Sequence, residues 1–481
     1  MFDIRRHSSK HIEVKITYPF FSTHGYTRVI DHYIFSPPQL NVSPKTLSRE
    51  SLIRKFQSHG RYSTPKVSFD EILDEHNENS PLIFLDRSVR LLSENRRIQS
   101  DTLIIHTIQL LANTFRGHES SLDIQVRGHS VDSSQVDQWF TSAREILNRF
   151  RVIMQNIKLV YPMGNKLTTA FEWGDEEMSL QIESAAVNAY QAGIELKCLL
   201  DIAREELDYR KRRSYASVTG EGRRKDEKYQ FRCAELKKWT QSLLYLHPVI
   251  SKAPQRMSSI LAGAAAAIAM TFATLAAIFA EALFIENSLP WAMMIILAYV
   301  FKDRIKEGLR ALFSATIPNI LADKIIHFRS PWSGRKLMKA NMLIQMSPSS
   351  SQPEVVQLAR ESVASPFFDI LPEEDVVHYR RITKVFQSRE VHRVSDRLSS
   401  LTVVLRIRLD DWMKEMDDSE DDIFIPTEDI GLARTKSTKV YHLHLLSMIQ
   451  DSKGHTEEMQ LNRIVMNTEG IVRIEPIPVN R

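Results

Sequence analysis

The sequence predicts an α+β protein carrying a two-helix transmembrane hairpin, with a helical-bundle or coiled-coil cytosolic region and small antiparallel β regions at both ends. Three observations predict it. An uncharged run extends from Met257 to Ala280, and a second apolar run from Leu289 to Phe301. Between Ile182 and Leu207, apolar and small residues recur at alternating helical steps, the mark of a packed helix. Near both ends, apolar and polar residues alternate as they do in half-buried strands. The chain of 481 residues is 25% charged with a formal charge of +4, a water-soluble composition apart from the apolar runs. That length suits roughly three domains. The pattern divides into a β-containing region at 1–76, a helical cytosolic region at 77–252, the transmembrane hairpin with an amphipathic helix at 253–313, and an α+β region at 314–481.

The elements follow in order. Ile12, Val14, Ile16 and Tyr18 alternate, the chain turns at His24-Gly25, and Val29 to Phe35 resumes before Pro37-Pro38, which reads as a β-hairpin. Helical spacing returns from Pro81 to Phe115 and from Val136 to Ile157, with a short strand expected at Leu122 to Val126. Ile182, Ala186, Ala189, Gly193, Leu196, Leu200, Ala203 and Leu207 then form a heptad seam on one long helix. Acidic Glu176, Glu177 and Glu183 lie toward its start and basic residues at its end, complementing the helix dipole. Its partner is either the next helix, Arg224 to Leu246, or another protomer.

Beyond the apolar runs, Lys302 to Phe313 places Ile305, Leu309, Leu312 and Phe313 on one face, as in an amphipathic helix at a membrane surface. Ser347 to Pro353 reads as a linker. Leu401 to Leu409, Val440 to Met448 and Leu461 to Ile477, which folds back at Asn467 to Gly470, read as a small antiparallel meander.

The first apolar run is about 36 Å of helix, enough for a hydrocarbon core of about 30 Å. Ala262, Ala266, Ala269, Ala273, Ala276 and Ala280 form a continuous small-residue seam along it, and small faces let helix backbones approach in lipid. Its partner is the second helix of the same hairpin or another protomer. The second run is only about 20 Å as a helix. Ser288 can cap it, Pro290 suits its first turn, Trp291 suits the headgroup boundary, and Lys302 can snorkel at its far end. Lys237, Lys238, Lys252 and Arg256 precede the hairpin, and Lys302, Arg304, Lys306 and Arg310 follow it. The positive-inside rule therefore puts both soluble regions in the cytosol, with Glu281 and Glu286 at the outer interface as hydrated turn residues or a carboxylate ring. The first residues lack an apolar signal-peptide core, so none is expected.

No catalytic signature is present: there is no GxxxxGK[ST], HExxH or GxSxG, and Gly220-x-Gly222 lacks a third glycine. His442 and His444 share a strand face without further ligands, and Asp417, Asp418, Glu420, Asp421 and Asp422 read as a solvated loop rather than an EF-hand. Cys198 and Cys233 have no CxxC spacing, so no catalytic residue, cofactor or metal is expected. The balance of 63 basic against 59 acidic residues argues against whole-domain nucleic-acid binding by electrostatics. The densest basic patch is Arg210, Lys211, Arg212 and Arg213 with Arg223, Arg224 and Lys225. It suits a solvated helix-helix turn, an acidic partner or a nucleic acid.

The layout of the hairpin at Met257 to Phe301 between large cytosolic flanks resembles the two-transmembrane effectors of bacterial anti-phage systems, including those encoded beside retron reverse transcriptases. The resemblance implies a multi-pass inner-membrane protein with both termini cytoplasmic. It implies no enzyme: a regulatory protein or ribonucleoprotein partner would hold the effector silent until infection, when it would oligomerise and permeabilise the membrane. Two helices cannot enclose a water path, so a pore needs several copies. The competing reading is a membrane-tethered sensor or scaffold that recruits a partner without forming a pore, and a third is an enzyme on a membrane anchor.

Overall fold

The computed structural model describes residues 2–19, 24–64, 67–94, 101–128, 130–161, 164–194, 196, 198–218, 223–285, 288–320, 322–331, 334–363, 373–386, 400–427, 431–451 and 453–478. The chain is α+β and divides into two compact units. One comprises Met1–Gly60, Leu246–Ser388 and Leu401–Arg481, the other Arg61–Tyr245 with Arg389–Ser400. The chain begins with β1 (Asp3–Ser8), β2 (His11–Pro19), β3 (Tyr26–Ser36), α1 (Arg49–Lys55) and β4 (Phe56–Tyr62). Helices α2 (Phe69–Leu73), α3 (Pro81–Ser93), α4 (Asp101–Arg127), α5 (Ser133–Val160), α6 (Lys166–Gln191), α7 (Leu199–Arg212) and α8 (Arg223–Ser242) follow. Next come β5 (His247–Ile250), α9 (Ala253–Leu283), α10 (Leu289–Ile320), β6 (Lys324–Arg329), β7 (Lys336–Pro348), α11 (Glu354–Glu361), β8 (Asp375–Val385) and β9 (Ser400–Arg408). The last strands are β10 (Glu420–Thr427), β11 (Gly431–Thr438), β12 (Tyr441–Gln450), β13 (Thr456–Asn467) and β14 (Gly470–Ile477).

The first unit is built on an eight-stranded sheet of order β14-β13-β12-β3-β8-β7-β6-β5, antiparallel at every pair. A four-stranded sheet, β1-β2-β9-β4, covers one face. Phe56 stacks on Tyr379 with ring centroids 4.9 Å apart, and the Tyr18 hydroxyl donates to Thr383 Oγ1 at 3.3 Å. On the opposite face Val356 and Ala359 of α11 join Tyr33, Phe35, Val376, Leu446, Met448 and Leu461 in one cluster. Covered on both sides, β3 is buried residue after residue from Ile30 to Ser36, which is why its sequence does not alternate.

Several expectations are corrected. β2 and β3 are not a hairpin: β2 pairs with β1, whereas β3 pairs with β8 and β12. The strands of 1–76 and 314–481 therefore share sheets instead of forming separate regions. Only β12, β13 and β14 make the expected meander, and β9 belongs to the other sheet. The meander turn is as read: Asn467 Oδ1 accepts from the backbone of Glu469 and Gly470, each at 3.1 Å. Ser347 to Pro353 is no linker but a tied turn, where Ser349 N donates to Glu374 O at 2.9 Å and Gln352 Nε2 to Ser347 Oγ at 2.7 Å. The acidic run enters β10, where Glu420 and Asp422 face Lys436 and Arg434 of β11.

The second unit is a helical bundle whose core includes Ile108, Leu111, Phe115, Phe140, Phe150, Phe171, Met178 and Ile182. Leu122 and Val126 are both buried on α4, so a helical step of four, not a strand, explains that pair. Asp132 and Gln135 form a capping box that starts α5. The heptad seam does not lie on one helix. Gly193 adopts φ +83, its N–H bonds to Tyr190 O at 3.1 Å, and Ile194 N bonds to Ala189 O at 3.1 Å. That pair of bonds is a Schellman motif, and it ends α6 so that α7 packs on it. Ile182, Ala186 and Ala189 are consumed within the bundle.

At Gly174 of α6 a Cβ would lie 2.5 Å from Ile108 Cγ2 and 3.2 Å from Phe150 Cζ. Gly174→Ala is expected to lower the stability of the bundle by about 1–3 kcal/mol. The check is hydrogen exchange of the α4 and α6 amides, which should quicken; unaltered protection would show that Phe150 and Ile108 can yield.

Candidate functional site

The feature that stands apart chemically is the α9–α10 pair. Its root is set by β5 and β6, antiparallel neighbours at the sheet edge, and just beyond them Ser251 N donates to Ile325 O at 2.8 Å. Between these fixed points α9 and α10, of 31 and 32 residues, pack on each other. A short connection at the far end makes them antiparallel.

The two sides of α9 differ. Ala265, Ala269 and Ala280 are buried and Ala262, Ala266, Ala273 and Ala276 half-buried, while Ile268, Phe272, Leu275 and Phe279 are exposed. The alanine seam therefore faces α10 of the same chain, where small side chains permit close approach. The matching side of α10 is Trp291, Ile295, Ala298, Lys302, Ile305 and Leu309, each covered at least in part. As expected, Ser288 caps the helix, its Oγ accepting from Trp291 N at 3.4 Å. The amphipathic stretch from Lys302 is not a separate surface helix; it continues α10 without a break.

Among the described residues one helical stretch is long and apolar enough to cross a membrane: Ser259–Leu283, with a mean hydropathy of 2.0 and 11% of its most apolar window buried. α10 does not qualify, because its apolar part ends at Phe301. Lys302 is largely covered and holds its Nζ 3.6 Å from the centre of the Tyr299 ring, whereas Arg304, Lys306 and Arg310 are exposed. Glu281 is exposed at the far end of α9. Glu286 and the side chain of Arg256 lie outside the described residues.

The basic patch is not assembled as expected. Arg210 is fully buried and pairs with Glu183, and Arg213 Nε donates to the Tyr209 hydroxyl at 3.3 Å. Lys211 and Arg212 remain exposed, the former 3.7 Å from Asp208. The side chains of Arg223, Arg224 and Lys225 lie outside the described residues. What the sequence concealed is a charged core around α6. Asp175, Glu176 and Glu177 are all buried there, and each meets an arginine from another helix. Arg151 of α5 reaches Asp175 at 2.8 Å and Glu206 at 2.7 Å, Arg232 of α8 reaches Glu176 at 2.7 Å, and Arg116 of α4 holds Glu177. The hydroxyls of Tyr209 and Tyr215 donate to Asp175 at 2.7 and 3.2 Å. Burial and the carboxylate push the Tyr215 phenol well above its usual range. The run Gly174 to Ser179 was the available signal, since consecutive acids on a helix must either face water or find cations. Paired with arginines from neighbouring helices, these carboxylates hold the helices together.

Among the described residues no group of three or more His, Cys, Asp or Glu side chains is placed to hold a metal, and Cys198 and Cys233 are not disulfide-bonded. His442 is exposed while His444 is buried. Burial first, then the nearby cations Arg360 and Arg463, hold the His444 pKa down to about 3, and burial does the same for His32, whose Nδ1 is 2.8 Å from Ser447 Oγ. The unfolded chain protonates these rings near their ordinary value of 6.5, the folded chain not until about 3. Stability is thus complete above pH 6.5 and falls as pH drops toward 3, by up to about 1.4 kcal/mol per pH unit for each ring. The denaturation midpoint of the sheet unit should fall accordingly between pH 6.5 and 4. His444→Leu should flatten that slope by up to about 1.4 kcal/mol per pH unit; a slope unchanged by the substitution would rule out His444 as a source. Compared with protein families, with curated proteins and with solved structures, the chain finds no match.

Proposed function

We propose that the protein acts at a membrane, with α9 and α10 inserted as a hairpin, both cytosolic regions on one side, and permeabilisation of the bilayer by assembled copies as its effect. The observation that supports this reading is the bare side of α9. A core helix buries its large residues, whereas Ile268 is 50%, Leu275 51% and Phe279 61% exposed. Eight or so such side chains favour insertion by about 2–5 kcal/mol in total. Basic Lys237, Lys238 and Lys252 ahead of α9 fit a cytosolic root. The role is that of the anti-phage effectors with the same layout, restrained by a partner until it is released.

The second reading, a membrane-tethered sensor or scaffold, has its own support. The alanine seam is engaged by α10 in a single copy, so it does not by itself supply contacts between copies.

Alkaline carbonate extraction and a membrane-potential dye separate the readings when the full chain is expressed in cells. Retention with collapse of the potential is expected. Retention with an intact potential under every condition would favour the tether, and full extraction would remove the membrane reading. Leu275→Arg places a charge on the lipid-facing side at a cost of about 3 kcal/mol. It should shift protein into the extractable fraction, whereas an exposed substitution such as Lys211→Glu should not.

A further inference from the structure

We infer that the exposed charged side of α10, centred on Asp303, Arg304 and Glu307, is an interface with a second copy of this chain; this rests on the membrane reading above. Ala265 and Ala269 are buried although Ala265 lies roughly 27 Å of helix from Leu283. α9 packs along α10 and, at its base, on β6. The part of α10 at the depth of Ala265 is the part that carries the charges, where Ile305 and Leu309 are half-covered. Asp303, Arg304 and Glu307 point away, with side chains 59%, 80% and 75% exposed.

When α9 spans the bilayer, α10 is carried to the same depth. Asp303 is then roughly 22 Å from Ser288, inside a core of about 30 Å. A lysine or arginine at that depth can reach headgroups with its long stem, but the short aspartate cannot. Within one chain Asp303 meets Lys302 at 3.8 Å and Arg304 meets Glu307 at 3.8 Å, long contacts that leave both carboxylates mostly uncovered; an anionic headgroup would compete for those cations and add nothing to the carboxylates. A second copy answers both signs: turned about a two-fold axis, it sets Arg304, Lys306 and Arg310 against Asp303 and Glu307. The spacing already suits such pairing, since Arg304 and Glu307 approach to 3.8 Å within one chain. The interface would leave the alanine seam undisturbed, because the seam faces the other side of the α9–α10 contact.

The test uses the full chain in native membranes with Cys198 and Cys233 replaced by serine. A cysteine at Gly308, which is exposed and has open space where a Cβ would sit, reports on the charged side; one at Phe272 reports on the bare side of α9. Added oxidant takes two electrons, and two protons leave, as one disulfide forms between copies. Gly308→Cys should give a covalent dimer and Phe272→Cys should not. Adding Arg304→Glu should lower the yield about tenfold by setting like charges together, and adding Glu307→Arg to that chain should restore it. Dimers only at Phe272→Cys, or a yield indifferent to both reversals, would overturn the inference. Carbonate extraction of the same membranes distinguishes the failures: extracted protein defeats the membrane reading, while retained protein with no Gly308→Cys dimer defeats only the interface.

Discussion

His247–Ile250 and Lys324–Arg329 are hydrogen-bonded to each other at the edge of the eight-stranded sheet, and everything between them must leave and return through that one place. Strands in a ladder lie about 4.8 Å apart, so two helices rooted on them have little choice but to run side by side. It follows that α10 must be as long as α9, whatever its composition. α9 is apolar for most of its length, whereas α10 spends its apolar residues by Phe301 and is charged beyond. The alanine seam, the continuity of α10 and the place of its charges alongside the start of α9 all follow from this anchoring.

The helical unit rests on a different constraint. A buried carboxylate costs several kcal/mol unless a cation meets it in good geometry. α6 presents Asp175, Glu176 and Glu177 to its neighbours, which answer with Arg151, Arg232 and Arg116, while Arg210 of α7 answers Glu183. Arg151 binds Glu206 through both terminal nitrogens, and its guanidinium lies 3.6 Å from the centre of the Tyr209 ring. An apolar seam tolerates a slip of one turn more readily than a forked hydrogen bond does. The arginines therefore fix which helix sits where around α6, and the apolar core fills the space they define.

Local patterns were legible in the sequence because they depend on neighbours in the chain. The strand at Ile12 to Tyr18, the turn at Asn467, the cap at Ser288 and the apolar run after Met257 were all read correctly as elements. Partners were not, since β-pairing joins residues hundreds of positions apart: Tyr33 meets His378 and Leu446. The heptad seam misled for a specific reason. Its steps continue through Gly193, but a glycine on a small-residue seam can pack or can terminate, and only the bonds from Gly193 and Ile194 decide. Arg210 misled likewise, because a run of four basic residues on a helix cannot all face the same way. β10 and β11 were missed because Glu420, Asp421 and Asp422 suggest solvent, and their strand is exposed on both sides with its charges answered across the ladder.

Neither water nor lipid suits both helices of the hairpin. In water, α9 leaves Ile268, Phe272, Leu275 and Phe279 bare, an apolar side large enough to demand cover. In lipid those residues are satisfied, but the charged side of α10 is not. The sheet edge prevents the two helices from separating to take different environments. A single copy is therefore uncomfortable in either phase, and the discomfort sits on a different helix in each. A soluble state calls for something over α9, and an inserted state calls for something over α10. Covering one side does nothing for the other, so a partner that holds the protein in water and a contact that completes it in the membrane can be distinct surfaces.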